Sequence, residues 1–442
     1  MTAPGTPAFG ALQGLRVLDL TQMLAGPYAT MLLADQGADV IKVEPPGGDA
    51  TRRHGPFLPG ARPFDEGGFG AYFGSVNRNK RSIVVDLKSE AGKAQLIAMV
   101  RQADVLVENY RAGVMEGLGL SYETLAAHNP RLVYAALRGF GDPRSGETPY
   151  THWPAYDPVA QAMGGIMGVT GPEVGGAPTK IGPGVGDLLP AMYLAYAVAA
   201  ACWSVQRTGQ GQFVDVAMAD AVLALCERIV YQYSAAGVDS RPDGNGHPLL
   251  CPFGIFPASD GYVSLGVPND RFWEPLARIM GRADLAADPR CASNEARVRH
   301  RAFVEAEVGA WTRRHTQAEL VRLLGGRIPF GPVLYAQDIF HDPHFQARGM
   351  LVPTEQPGAE RPLTIAGTPI HMGRTPGGVH RRAPLVDEHA GEILREFGLQ
   401  PAPTAPQPSP CQEKPPMNRP RRMRRCQLSV PGSSEKMMEK AA

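Results

Sequence analysis

The sequence predicts an α/β chain: a Rossmann-like, doubly wound parallel sheet in a large domain, followed by a smaller α+β domain. Three observations carry this. Short apolar runs alternate with helical segments over the first 220 residues, the spacing of βαβ units. Each run ends in polar or glycine-rich residues, as parallel strands do at the ends where ligands bind. Beyond residue 236 the character shifts to a Gly/Pro/Asp/Asn loop, short strands and charged amphipathic helices. At 442 residues the chain also exceeds one ordinary core.

In order, Leu15–Leu20 is a strand leading through Ala25-Gly26-Pro27 into a helix over Tyr28–Gln36, closed by Gly37. Val40–Glu44 is the next strand, ended by Pro45-Pro46-Gly47-Gly48. After a long loop come the strand Ser82–Leu87, a helix near Glu90–Gln102 and the strand Asp104–Asn109. A helix near Tyr122–His128 then leads to Leu132–Leu137. No G-x-G-x-x-G follows the first strand, which sets a dinucleotide site aside. Phe213–Ala217 is a further strand, and Ala219–Ala236 a helix. The second block holds strands at Gly254–Phe256 and Tyr262–Leu265, helices near 270–280 and 297–325, and a proline-bracketed exit, Arg327–Val333. The expected division is 1–220 (large domain), 221–335 (small domain), 336–400 (a segment returning to the large domain) and 401–442 (a disordered Pro-rich basic tail).

The net charge of +1 hides an asymmetry. Residues 401–442 hold 8 Lys/Arg and 3 Asp/Glu, leaving 36 and 40 in the other 400 residues. A mildly acidic body has no electrostatic footprint for nucleic acid. The Ala-rich segment Leu188–Val205 is expected as a buried helix, not a membrane span. The six cysteines (202, 226, 251, 291, 411 and 426) show no paired metal spacing. They are read as reduced thiols in a cytoplasmic protein, with no metal site.

Chemistry centres on Gly182-Pro183-Gly184-Val185-Gly186-Asp187-Leu188-Leu189-Pro190, a glycine-rich turn delivering Asp187 to the start of a small-residue helix, with Pro190 in its first turn. Two readings fit Asp187. It is a helix N-cap, or it is a rigid carboxylate beside a glycine-lined space and so a nucleophile.

Several segments together resemble one family. They are Gly14–Thr21 with Ala25-Gly26-Pro27, Gly37–Glu44, Gly48–Arg52, Asn77–Ile83, Glu108–Arg111 and Gly186-Asp187. In order and spacing they are similar to the class III CoA-transferases, the formyl-CoA:oxalate and carnitine CoA-transferase group, over about residues 12–400. The resemblance implies an interlocked homodimer that uses acyl-CoA and small carboxylic acids as substrates, with no permanently bound cofactor. It implies that Asp187 attacks the thioester, giving an aspartyl mixed anhydride and then an aspartyl-CoA thioester. It assigns the CoA site to Met23 and Leu24, to Val85, Asp86, Leu87 and Lys88, to Asn109, Tyr110 and Arg111, and to Ala155, Tyr156 and Asp157. Gly244, Asn245, Gly246 and His247 sit where relatives carry a glycine loop over the acyl group, here with two glycines instead of four.

Two departures narrow the substrate. Leu24 stands where the formyl/oxalate enzymes carry Gln, and Pro45 follows Glu44 where they carry Arg. The expectation is a succinyl-CoA-type donor and a dicarboxylate acceptor, with Arg52 or Arg53 pairing the distal carboxylate. The alternatives are an α-methylacyl-CoA racemase and a non-catalytic CoA-binding protein. Racemase relatives use a His-Asp pair where this chain has Tyr156-Asp157, and His152 lies four residues earlier.

Overall fold

The structure, a computed structural model, describes residues 9–400; the predicted basic tail lies outside the described residues. Six parallel strands form the main sheet: β1 (Arg16–Asp19), β2 (Asp39–Glu44), β3 (Arg81–Val84), β4 (Val105–Glu108), β5 (Val133–Arg138) and β6 (Gln212–Ala217). Their order is β3-β2-β1-β4-β5-β6. Chain direction along the sheet reverses between β1 and β4, and such a reversal opens a crevice at the carboxyl ends.

Successive side chains on each strand point to opposite faces. Val17, Val40, Val105 and Val133 meet the helices Ala25–Asp35 and Val185–Thr208 on one face. Leu18, Ile41, Leu106 and Tyr134 meet Leu96 and Met99 of the helix Glu90–Val100 on the other. Because both faces are covered, the strands read as unbroken apolar runs.

A segment late in the chain closes this sheet. Ile393 and Leu394 of the helix Ala390–Glu396 enter the second core. Arg81 donates to Glu392 and Glu396, each at 2.9 Å. Val84 N–H donates to Asp387 Oδ1 at 2.7 Å.

A separate core forms within residues 251–330, around Trp273, Leu276, Val304, Val308 and Leu320. It carries an antiparallel sheet of β7 (Phe253–Pro257), β8 (Tyr262–Gly266) and β9 (Phe330–Pro332). The expected exit Arg327–Val333 therefore contributes a strand paired to β8. The single helix expected over 297–325 is three: Asn294–Arg299, Arg301–Thr312 and Gln317–Leu324. The last starts anew because Thr316 and Glu319 form a reciprocal capping box. The division expected at 220 falls inside the helix Met218–Leu225, whose Met218 and Val222 belong to the first core.

The long helix also starts earlier than expected. It runs Val185–Thr208 with Gly184 as N-cap, so Pro190 is its sixth residue and not a first-turn residue. Proline there withholds the N–H that would bond the Gly186 carbonyl. Ala191, Leu194, Val198, Ala201 and Val205 are buried against the sheet. By length and composition this helix is apolar enough to cross a bilayer, yet one side of it covers the core.

Candidate active site

The crevice above β1, β4 and β5 is a cleft of about 290 Å³. Met23 and Leu24 line it from the loop after β1, and Asn109, Tyr110 and Arg111 from the loop after β4. Ala155, Tyr156 and Asp187 complete it. Three loop segments and a helix start, distant in sequence, thus meet at one place. A larger cavity of about 430 Å³ near Arg16, Asp39 and Arg81 lies at the amino ends of the strands, the wrong end for ligands in such sheets. Arg81 there is already paired with Asp39 and Glu396.

Asp187 is the third residue of the long helix, not its cap. Among the described residues nothing donates a hydrogen bond to its carboxylate. Capping is supplied from elsewhere: Gly186 N–H donates to Asp157 Oδ1 at 2.9 Å. Gln161 Nε2 also donates to Asp157 Oδ1, at 2.8 Å, while Gln161 Oε1 accepts from Ile181 N–H at 3.0 Å. A Cβ on Gly186 would meet the Asp157 carbonyl oxygen at 2.6 Å, so glycine permits this approach. Burial and then the Asp157 charge push the Asp187 carboxyl up to about 6. Asp157 therefore serves the helix end beside the cleft and is not one of the residues lining it.

The loop after β1 is held rigidly. Lys42 Nζ donates to the Thr21 carbonyl at 2.9 Å and lies 2.8 Å from Asp49. Asp19 accepts from Thr21 N–H at 2.9 Å and pairs with Lys80 at 2.9 Å. Asn109 braces the next residue twice: its Oδ1 accepts from Gln22 N–H and its Nδ2 donates to Gln22 O, both at 2.8 Å. Held between these, Met23 takes a left-handed backbone, φ 66°, that non-glycine residues seldom adopt. Asn109 is thus a brace between two loops of the cleft.

Val85, Asp86, Leu87 and Lys88 do not line the cleft. β3 stops at Val84, and Val85 enters the core. Asp86 accepts from Lys88 N–H and turns the chain into the helix Glu90–Val100, while Lys88 is exposed. Gly244, Asn245 and Gly246 line a different cavity, of about 430 Å³, beside Arg301 and Glu305. His247 Nδ1 accepts from Leu249 N–H at 3.1 Å. Arg52 cannot meet a substrate: it is fully buried and donates to both Glu44 oxygens, at 2.8 and 2.5 Å. Arg53 lies over the Phe64 ring, 4.3 Å from its centre.

Sequence reasoning missed several residues. Tyr72 lines the cleft, and burial together with the Asp187 charge pushes its hydroxyl up to about 12. Arg138, at the end of β5, lines it as well and donates to Glu108 at 2.7 Å. Its Nε has no partner among the described residues. Burial lifts Glu108 to about 7 although Arg138 opposes this. Trp153 stands at the rim, 54% exposed, with its ring 4.8 Å from that of Tyr150. A strand-end Arg is a readable signal; Tyr72 follows no motif.

Residues 12–390 match the model of CoA-transferase family III. The succinyl-CoA:mesaconate CoA-transferase of Haloarcula hispanica is 50% identical over 393 residues, covering 88% of this chain and 97% of that protein. The succinate–glutarate CoA-transferase of Agrobacterium fabrum is 39% identical over 395 residues, covering 87% and 95%. The crystal structure of a CAIB/BAIF family protein from Brucella suis matches with a TM-score of 0.77 at 36% identity, covering 88% of this chain and 100% of that one. On this agreement of sequence, fold and length, the protein belongs to CoA-transferase family III and is a class III CoA-transferase.

Proposed function

We propose that the protein moves CoA from succinyl-CoA to a dicarboxylic acid acceptor of the mesaconate or glutarate kind, with Asp187 as nucleophile. The observation that carries the mechanism is the Asp187 carboxylate, unbonded among the described residues and made more basic by burial. The named activities of the two relatives support the substrate class. So does apolar Leu24 in the cleft wall.

A carboxylate oxygen of Asp187 attacks the thioester carbonyl, the C–S bond breaks, and CoA leaves as thiolate, giving a mixed anhydride. The thiolate attacks the Asp187 carbonyl and expels succinate, leaving an aspartyl-CoA thioester. The acceptor carboxylate displaces the thiolate in turn. CoA thiolate then attacks the acceptor carbonyl, releasing the acceptor's CoA thioester and the Asp187 carboxylate. Each tetrahedral oxyanion needs a donor in a dry site, and Tyr72, kept protonated, is one. Arg111, exposed at the cleft, carries positive charge for CoA phosphates, while Arg138 is held by Glu108 and Asp142. Trp153 and Tyr156 offer flat rings at the rim for adenine.

We also propose the interlocked homodimer and a cytoplasmic setting. Met192, Tyr196 and Trp203 lie on one side of the long helix, 47%, 74% and 67% exposed. The helix Glu227–Ala236, carrying Tyr231 and Tyr233, has no buried residue. An apolar face of this kind suits a second copy of the chain. The cysteine spacing supports the cytoplasm.

The test is intact mass after succinyl-CoA and then borohydride, which reduces an aspartyl thioester to the alcohol. A mass change mapped to Asp187, absent in Asp187→Ala, is expected. Untouched Asp187 together with exchange of the α-proton into solvent would overturn the transferase mechanism in favour of racemisation.

A further inference from the structure

We propose that Asp157 is a positioning residue for Asp187: its carboxylate caps the long helix in place of the nucleophile, and its charge drives Asp187 toward the acylated state. The proposal rests on the nucleophile reading of Asp187. An acidic residue in a helix's first turn ordinarily satisfies that helix's own amides. Here the amide of Gly186, the residue before Asp187, is satisfied by Asp157 across 29 positions of sequence. Gln161 fixes the rotamer of Asp157 and ties it to the strand of loop entering the helix. The Asp187 carboxylate is therefore left for the substrate.

The charge has a second effect. Acylation turns Asp187 from an anion into a neutral anhydride or thioester, and the negative charge departs on the CoA sulfur. A fixed carboxylate beside it disfavours the ionised form and so favours the neutral acyl forms. Charged and titratable groups facing the pair come from three elements. Asp157 belongs to the helix Asp157–Met163, and Tyr72 to the helix Ala71–Val76. Lys180, in the preceding loop, has its Nζ 3.4 Å from Asp157 Oδ2 and tempers the effect. The helix Met218–Leu225 presents uncharged Met218 to the cleft.

Asp157→Asn keeps an oxygen for the Gly186 amide and removes the charge; Lys180→Met removes the tempering cation. The readouts are the acidic limb of kcat/KM against pH and the fraction of enzyme carrying CoA at a fixed ratio of succinyl-CoA to succinate, by intact mass. Asp157→Asn is expected to move the limb down by roughly one pH unit and to lower the CoA-bearing fraction several-fold. Lys180→Met is expected to move both upward. A folded Asp157→Asn with unchanged limb and fraction overturns the proposal. Should that variant fail to fold, an unmoved limb in Lys180→Met overturns it instead. Wild-type enzyme that never carries CoA on Asp187 sinks the nucleophile reading itself, a result visible before any Asp157 variant is made.

Discussion

Tyr72 and Asp187 illustrate how one cleft sets two groups against their ordinary chemistry. The same burial that makes the carboxylate basic keeps the phenol protonated, so that in the proposed mechanism one side chain attacks while the other donates. Replacing Tyr72 by Phe removes a single donor and is expected to lower kcat roughly 100-fold, with KM for succinyl-CoA little changed, in steady-state assays. Asp187 has the opposite relation to stability. Its carboxyl titrates near 6 in the fold, above the ordinary value of 3.8, so the ionised group destabilises the protein once pH rises through that range. Asp187→Asn is thus expected to be more stable than wild type at pH 8, by on the order of 1–2 kcal/mol, and no more stable at pH 4. Urea titrations at the two pH values check this. The loops lining the cleft were legible in the sequence because they follow strand ends, and Asp187 stood out because a glycine-rich turn leads into its helix. The role of Asp157 was not, since the amide it caps lies far along the chain and is brought close only by packing at Gly186.

At the level of elements, the carboxyl ends of β1 and β2 are built on buried charge. Arg52 with Glu44, Lys42 with Asp49 and Lys80 with Asp19 are all nearly or wholly hidden from solvent. Removing one partner leaves the other charged and buried, which is strongly destabilising. Arg52→Ala is expected to cost about 3–5 kcal/mol in urea unfolding. A substrate contact would instead raise the acceptor KM without this loss, so the two measurements separate the roles. The strands themselves were readable, because burial on both faces writes them as apolar runs. Lys42 and Glu44 inside such a run were the visible hint that Arg52 has a partner within the protein; hydrophobic period alone does not say which charges are internal. The helix break before Gln317 was likewise written in the sequence, as Thr316 and Glu319 three apart.

For the whole molecule, the long helix joins the cleft at one end to an exposed aromatic side along its length. If the proposed interlocked dimer uses this side, Tyr196→Glu with Trp203→Glu is expected to impair its assembly during synthesis, seen as loss of the dimer in sedimentation of freshly expressed protein together with loss of activity. Deleting 401–442 is expected to leave activity unchanged, since the family match ends at residue 390.

The clamp of Arg81 on Glu392 and Glu396 has a consequence in time. β3 is made early, yet the helix that covers it is made some three hundred residues later. At translation speeds of about 5–20 residues per second, roughly 15 to 60 s separate the two. Through that interval the core around Leu96 and Met99 waits on the ribosome without Ile393 and Leu394. The nascent chain is then a client for chaperones until the helix Ala390–Glu396 emerges, and long-range closure of this kind makes refolding slow as well.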